Sequence, residues 1–524
     1  DTAGIIKAVE DAGYGAAVKD EHAKSGAKTS GQSGSQENNG LSAVEQNVKN
    51  MKNIILTANG TQKADLVLKN ASIVNVFTES IEVGDVAITD GKIVGIGRYE
   101  GKIEKDMTGR FVCPGFIDGH IHLESSMVPP SEFARAVIAH GTTAVITDPH
   151  EIANVAGCDG ITYMMQATKD LPLDVFFMVP SCVPATDLDE SGACLNADDI
   201  TPFYNDRRVL GLAEMMNAFG VNQADGSVLS KIKTTLEHDR IIDGHAPLLT
   251  GKELNAYTAA GIRSDHECSN IAEAKEKLSR GQWIMIREGT AAKNLQELMP
   301  LFEAPYYNRI LLVTDDKHPL DLLNDGHIDA IIRKAVHLGA NPIRAIKAGS
   351  LNAATYFGLR DTGAIAPGYD ADIVVLNDLT DLHVQEVYKQ GTLISERGQI
   401  TTAVNSNTDS IPERVIHSFH VEKITPAQLV IPKQGEHIRV IELHAGELLT
   451  SERTASWNTD TSAKDWADGI NPDDDIIKIV AIERHKNTGH LGMGFLGGYG
   501  LKKGAVATSI GHDSHNLVVA GTND

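Results

Sequence analysis

From Ala64 the chain shows runs of β-branched residues broken by Asn and Gly, ADLVLKNASIVNVFTESIEVGDVAITDGKIVGIG. The Asp90-Gly91 pair between apolar runs predicts a tight hairpin, so this stretch reads as a small antiparallel unit. From Phe116 to about Leu359 the pattern changes. Short apolar segments such as AVITD, VLGLAE, IDGHAP and ILLVTDD alternate with stretches of helical spacing such as NLQELMPLFE. Strands alternating with helices predict an α/β fold with a parallel sheet, and the length is close to the roughly 250 residues of a (β/α)8 TIM-like barrel. After it, GAIAPGYDADIVVLNDL returns to β character, as though completing the sheet begun before the barrel, and an α+β segment follows from about Arg414. At the other end Ile5, Ile6 and Val9 stand at helical spacing ahead of Gly13 and Gly15, and HAKSGAKTSGQSGSQENNG has the composition of a flexible linker. The expected units are residues 1–20, a linker over 21–45, a composite β-sandwich from 46–113 plus 360–410, a barrel over 114–359 and a C-terminal domain over 411–524.

A chain of 524 residues is too long for one core, which agrees with several domains. Its 70 acidic residues against 47 basic ones leave a formal net charge of −23. That works against a polyphosphate or nucleic-acid partner, whose binding needs clustered Lys and Arg, and favours a small neutral substrate. The five cysteines, Cys113, Cys158, Cys182, Cys194 and Cys268, form no C-x-x-C pair and are odd in number, which suits a reducing compartment. No basic segment followed by an apolar core opens the chain, and no apolar run approaches the roughly 20 residues that span a bilayer. A soluble cytoplasmic protein is the expectation.

In a barrel, chemistry sits at the C-terminal ends of the strands, and ligand-type residues recur there. His120 and His122 in PGFIDGHIHLESS are two apart, so on a strand they face one way and can reach one cation together. Glu214 ends VLGLAEMM, His245 sits in IDGHAP, His266 in IRSDHE, and Asp315 with Asp316 ends ILLVTDD. Each taken singly is an ordinary solvated or capping residue. Together, four histidines and at least two carboxylates suffice for two divalent ions, and mixed imidazole and carboxylate ligation fits zinc, manganese or iron.

These residues, in this order, resemble the amidohydrolase superfamily. Within it HLESSM (122–127), ITDPHEIANVAG (146–157), GLAEMM (211–216), DGHAP (243–247), SDHE (264–267), MIREGTAAKNL (285–295), TDDKHP (314–319) and GHIDAIIR (326–333) are similar to the adenine deaminases, from about Asn53 to the last residue. Relatives in the superfamily often carry a carboxylated lysine on the fourth strand, whereas adenine deaminases use glutamate, and Glu214 stands there. The resemblance implies that His120, His122 and Asp315 serve one metal and His245 and His266 the other, with Glu214 shared. It implies two divalent transition-metal ions, manganese or iron with zinc as the third candidate, adenine as substrate, and a homo-oligomer.

The implied chemistry is hydrolysis of adenine to hypoxanthine and ammonia. Two metals lower the pKa of water between them towards neutrality, attack at C6 is the expected first step, and Asp315 is the candidate for carrying the proton to the departing amine. Glu124, His150, Glu151 and Asp316 are candidates for contact with the base or for supporting the groups around it, although a DPHE turn also caps a helix. Arg287 and Glu288 in MIREGT either line the pocket or pair with each other. The H-x-E and P-C-x-x-C signature of the zinc nucleobase deaminases is missing. GMGFLGGYGLKKG (492–504) lacks the G-K-[ST] of a phosphate loop and reads as turns, and GHDSHN (511–516) reads as a polar loop, with His512, Asp513 and His515 as lesser candidates for the site.

The ends depart from this pattern. KAVEDAGYGA resembles the last helix and strand of a heavy-metal-associated domain, but that family's C-x-x-C loop is absent and no metal role carries over. Adenine deaminases continue past the strand that follows GHDSHN, so the final domain is expected to be incomplete, with an exposed strand edge. Two rival readings follow: another amidohydrolase such as an N-acetylglucosamine-6-phosphate deacetylase, which would want a basic phosphate cluster, and an inactive purine-binding fragment.

Overall fold

The computed structural model describes residues 43–405, 411–445, 449–459 and 466–524. The helix and linker expected before residue 43, with the heavy-metal-associated resemblance, lie outside the described residues. The chain divides into two compact units, Asp1–Lys49 and Asn50–Asp524. A helix not anticipated from the sequence covers Ala43–Ala58. Its Ile54 and Ala58 pack on Tyr99 over Ala64, Val67, Ala87 and Val94, and Tyr99 Oη donates to Ala58 O at 2.8 Å where the helix ends.

Strands β1 (Ala64–Asn75), β2 (Ser80–Thr89), β3 (Lys92–Gly97), β4 (Gly101–Asp106) and β5 (Phe111–Pro114) form the first half of a nine-stranded sheet. The β2–β3 turn has both central residues at positive φ, Asp90 at 51° and Gly91 at 76°, as a two-residue hairpin of the right twist requires. The second half comes from beyond the parallel strands: β14 (Ile373–Leu376), β15 (Val384–Lys389), β16 (Thr392–Glu396) and β17 (Gln399–Ile400). β14 pairs antiparallel with β5, Phe111 opposite Leu376 and Pro114 opposite Ile373, so the two flanking segments make one sheet.

Between them run eight strands: β6 (Phe116–Ile121), β7 (Thr142–Thr147), β8 (Asp174–Val179), β9 (Val209–Met215), β10 (Ile241–Gly244), β11 (Ser264–Asp265), β12 (Trp283–Arg287) and β13 (Ile310–Val313). They lie in two parallel ladders, β6 to β10 and β11 to β13, and a parallel bridge joins Ile121, the last residue of β6, to Asp315, just past β13. β6 and β7 are buried throughout, which is why they read as continuous apolar runs. Helices follow the strands and press one apolar stripe inward. In Ile328–His337 that stripe is Ile328, Ile331, Ile332 and Ala335, spaced as one helical face. The stretch expected as one helix, NLQELMPLFE, is helical over Leu295–Leu298 and 3-10 over Met299–Phe302, because Pro300 lacks the N–H to continue the ladder.

The C-terminal domain is more strand-rich than the α+β expectation. Its six-stranded sheet contains β18 (His437–Glu442), β19 (Ser451–Ser456), β20 (Ile477–Ile482), β21 (Leu491–Gly497), β22 (Ala505–Thr508) and β23 (Leu517–Gly521), in the order β19-β18-β21-β20-β23-β22. Helical structure among the described residues is limited here to Glu413–Ile416 and the short turns Pro426–Leu429 and Pro472–Asp474. The glycine-rich stretch read as turns is strand β21 as far as Gly497. Gly492 and Gly494 pair with Ala481 and Ile479 of β20 in the antiparallel register, so the missing side chains do not prevent pairing.

Candidate metal centre

The period of two along β6 puts Asp118, His120 and His122 on one face. Asp118 anchors that face: its carboxylate accepts from Thr314 N at 3.2 Å and Thr314 Oγ1 at 2.5 Å. Asp315 N then donates to His120 O at 2.9 Å, and His122 N to Asp315 O at 3.2 Å. Asp315 takes φ 58°, a left-handed conformation that Asp tolerates better than most residues and that turns its carboxylate back over the strand ends. His122 Nε2 consequently lies 3.0 Å and His120 Nε2 3.6 Å from Asp315 Oδ1.

Glu214, at the end of β9, stands in the middle. Its Oε1 faces His122 Nε2 at 3.3 Å and His120 Nε2 at 3.7 Å, while its Oε2 faces His245 Nδ1 at 2.7 Å and His266 Nε2 at 3.2 Å. One carboxylate thus points one oxygen at each pair of histidines. The nitrogens of His245 and His266 also converge, 3.3 Å apart. His120 Nε2 is buried without a hydrogen-bond partner. Converging imidazole nitrogens and an orphaned buried nitrogen are what a cation between them would satisfy, so the residues present fit a metal centre of two adjoining sites.

The electrostatics agree. Burial alone would raise the Glu214 carboxyl, but His266, His122 and His245 hold it well below the usual carboxylate range. Asp315 is likewise opposed by burial and held well below its ordinary value by His120, His122 and Arg287. Burial disfavours charge on His122 and His266 too, yet the carboxylates beside them raise both well above an ordinary histidine.

A cavity of about 320 Å³ opens on this centre. His122, Glu214, His245, His266, Asp315, Asp316, His150 and Glu151 line it. Glu124 does not. It stands behind the wall, where Oε1 accepts from Ile152 N at 3.2 Å, and burial pushes its carboxyl up to about 7. Asp316 Oδ1 accepts from Ser125 Oγ at 2.5 Å, so Ser125 orients a cavity residue. Arg287 and Glu288 do not pair with each other. Arg287 bonds Glu267 and, at 2.5 Å, Asp315 Oδ2, whereas Glu288 meets Lys334 at 2.5 Å.

Several participants were missed in the sequence. Asp148, at the end of β7, bonds His150 Nδ1 at 2.7 Å, which orients that ring so that Nδ1 also faces Glu214 Oε1 at 3.5 Å. Glu267 Oε1 lies 3.3 Å from His266 and 3.6 Å from His245. His327 faces Asp118 Oδ2 at 2.9 Å from behind β6. All three belong to quoted motifs; position just past a strand end was the signal for Asp148 and Glu267, whereas His327 stands at the N-cap of the helix Ile328–His337. GHDSHN proves to be more than a surface loop: His512 and Asp513 line the cavity, and His512 and His515 both bond Glu151.

Strand-end histidines and carboxylates on a parallel α/β frame, with a composite sheet built from both flanks, define a metal-dependent hydrolase of the amidohydrolase class, and the amidohydrolase family model matches residues 111–394. A D-aminoacylase described for its binuclear metal centre superposes with a TM-score of 0.51 at 13% identity, covering 65% of this chain and 98% of that one, which shows the shared fold. The adenine deaminase C-terminal domain model matches residues 447–524. The chain belongs to the adenine deaminases: it is 47% identical over 471 residues to the adenine deaminase of Desulfatibacillum aliphaticivorans, covering 90% of this chain and 81% of that one. It is 45% identical over 475 residues to that of Geobacillus kaustophilus, covering 90% and 82%.

Proposed function

We propose that the chain hydrolyses adenine to hypoxanthine and ammonia, and that its two parallel ladders close as one (β/α)8 barrel around the site. The observation that carries the reading is Glu214, whose two oxygens divide between two histidine pairs. His120, His122 and Asp315 would hold one divalent ion, manganese or iron before zinc, and His245 and His266 the other, with Glu214 between. Bound there, the two ions supply Lewis acidity that makes hydroxide available at neutral pH.

The chain's own residues do the rest. Water oxygen adds to C6, the C6–N6 bond breaks, and the two protons of water end on ammonia and on ring N1. Asp315 takes a proton from the attacking water and passes it to the leaving amine, which leaves it a carboxylate again, and the Arg287 guanidinium donating to its Oδ2 favours that ionised form. His150, Glu151 and Asp316 line the space the base would fill, His150 set by Asp148 and Asp316 by Ser125. A sugar phosphate fits this cavity poorly: among the described residues Arg287 is the one Lys or Arg lining it, and both Glu267 and Asp315 already engage it.

Five free cysteines suit a reducing cytoplasmic setting. Among the described residues no helix is long and apolar enough to cross a membrane. The test is to load the chain with manganese, add adenine, and follow ammonia and hypoxanthine. Turnover is expected, and Asp315→Asn should lower it by about 10²–10⁴-fold. A fully metal-loaded chain that leaves adenine intact overturns the substrate, and undiminished turnover by Asp315→Asn overturns the proton carrier.

A further inference from the structure

The loop over residues 511–516 commits almost all of its polar groups to holding itself against the parallel strands and its own domain. His512 and His515 bond Glu151, and Ser514 O faces His485 Nε2 at 2.7 Å. Asn516 donates to Glu190 O at 2.7 Å and accepts from Arg484 N at 3.2 Å. Asp513 is the exception. Its carboxylate lines the cavity and makes no hydrogen bond among the described residues, standing beside Glu151 and facing His150 Nε2 at 3.5 Å. The other nitrogen of that ring faces Glu214 Oε1 at 3.5 Å, so Asp513 stands one imidazole ring away from the carboxylate at the heart of the metal centre.

A carboxylate is an acceptor only, and that of Asp513, 23% exposed, stands in the cavity wall with no donor bonded to it. A free purine base carries an N–H on its five-membered ring, whereas a base substituted at N9 has lost that proton. We propose that Asp513 is a specificity residue whose carboxylate accepts this ring N–H, so that a loop of the C-terminal domain makes the site select the free base over an N9-substituted one. The inference rests on the adenine reading. It assigns the selection to hydrogen bonding rather than to bulk, because a site built to pair an N–H rejects the analogue that lacks it.

The test compares adenine with 9-methyladenine, whose small substituent removes the proton at little steric cost, using the manganese-loaded full chain and Asp513→Leu, which keeps the bulk and removes the acceptor. The variant is expected to lose about 10- to 100-fold in kcat/KM for adenine, mainly through KM, while 9-methyladenine changes by less than about 3-fold, so the discrimination collapses. Asp513→Glu, which keeps the acceptor, should restore part of it. Unaltered discrimination in Asp513→Leu overturns the assignment. Matching manganese content and melting temperature show that the variant is folded, and Asp513→Ala carries the same comparison if Asp513→Leu does not fold. Calorimetric binding of the two bases gives the same ratio without turnover, so an inactive wild type would count against the adenine reaction while the Asp513 assignment is still decided.

Discussion

Lys277 lies under the second half of the metal centre with no exposed side chain, donating to Ala246 O at 2.6 Å, Asp265 Oδ2 at 3.0 Å and Glu273 Oε1 at 2.7 Å. Ala246 follows His245, Asp265 precedes His266, and Asp265 Oδ1 also accepts from Ala246 N at 2.8 Å. One ammonium therefore joins the two loops that present these histidines. Burial disfavours its charge, but Asp265 and Glu273 outweigh burial and raise Lys277 above an ordinary lysine. Lys277→Met keeps the bulk and leaves two buried carboxylates without their cation, a change that costs about 3–5 kcal/mol in buried pairs. The assay is urea unfolding, read as the shift of the first transition because a chain of several domains has no single unfolding free energy, together with manganese per chain. Loss of about half the bound manganese is expected alongside. Adding Asp265→Asn and Glu273→Gln removes the stranded charge and should recover part of the stability. A loss below about 1 kcal/mol for Lys277→Met would refute the reasoning, since it would mean that the two acids need no partner.

Two glycines in the site strands should respond very differently. At Gly244 an added Cβ meets Ser264 O at 2.2 Å, a backbone atom that cannot yield without moving β10 or β11, so Gly244→Ala should displace His245 and lower manganese content. At Gly119 the nearest atom, also at 2.2 Å, is the flexible end of Leu311, and Gly119→Ala should cost no more than about 1–3 kcal/mol with metal retained, as measured by melting and metal analysis. Glu483 accepts from His485 N, Lys486 N, Thr488 N and Thr488 Oγ1. Burial opposes its charge, but these donors hold it down to about 2 against an ordinary 4.5. A depressed carboxyl contributes stability that is complete above 4.5 and is lost as pH falls towards 2. Melting temperature over that interval should fall less in Glu483→Gln than in the wild type, and equal slopes would refute this.

The strands with a strong apolar or hairpin pattern were legible from the sequence, because burial on both faces leaves no polar position to confuse the reading. So was the set His120, His122, Glu214, His245, His266 and Asp315, which the structure brings together because strand ends converge. Asp148 and Glu267 were harder. Each adjoins or lies near a more conspicuous histidine, and a carboxylate carries no sign of whether it faces solvent or a buried ring. Glu124 could be read either as touching the base or as supporting the wall, since the sequence does not show that the 3-10 turn Leu123–Ser126 sets its carboxylate against Ile152 N behind the cavity. The grip of His512 on Glu151 spans 361 residues, and no local periodicity reports contact at such a separation.

The pairing of β5 with β14 imposes an order of events on synthesis. Cys113 and Val374, joined across those strands, are 261 residues apart. At about 5–20 residues per second, the open edge of β5 waits on the order of tens of seconds for its neighbour to leave the ribosome. For that time a short, mostly apolar edge is available to other nascent chains. The nine-stranded sheet is therefore begun first and finished late, and the intervening strands and helices must be made before its two halves can meet.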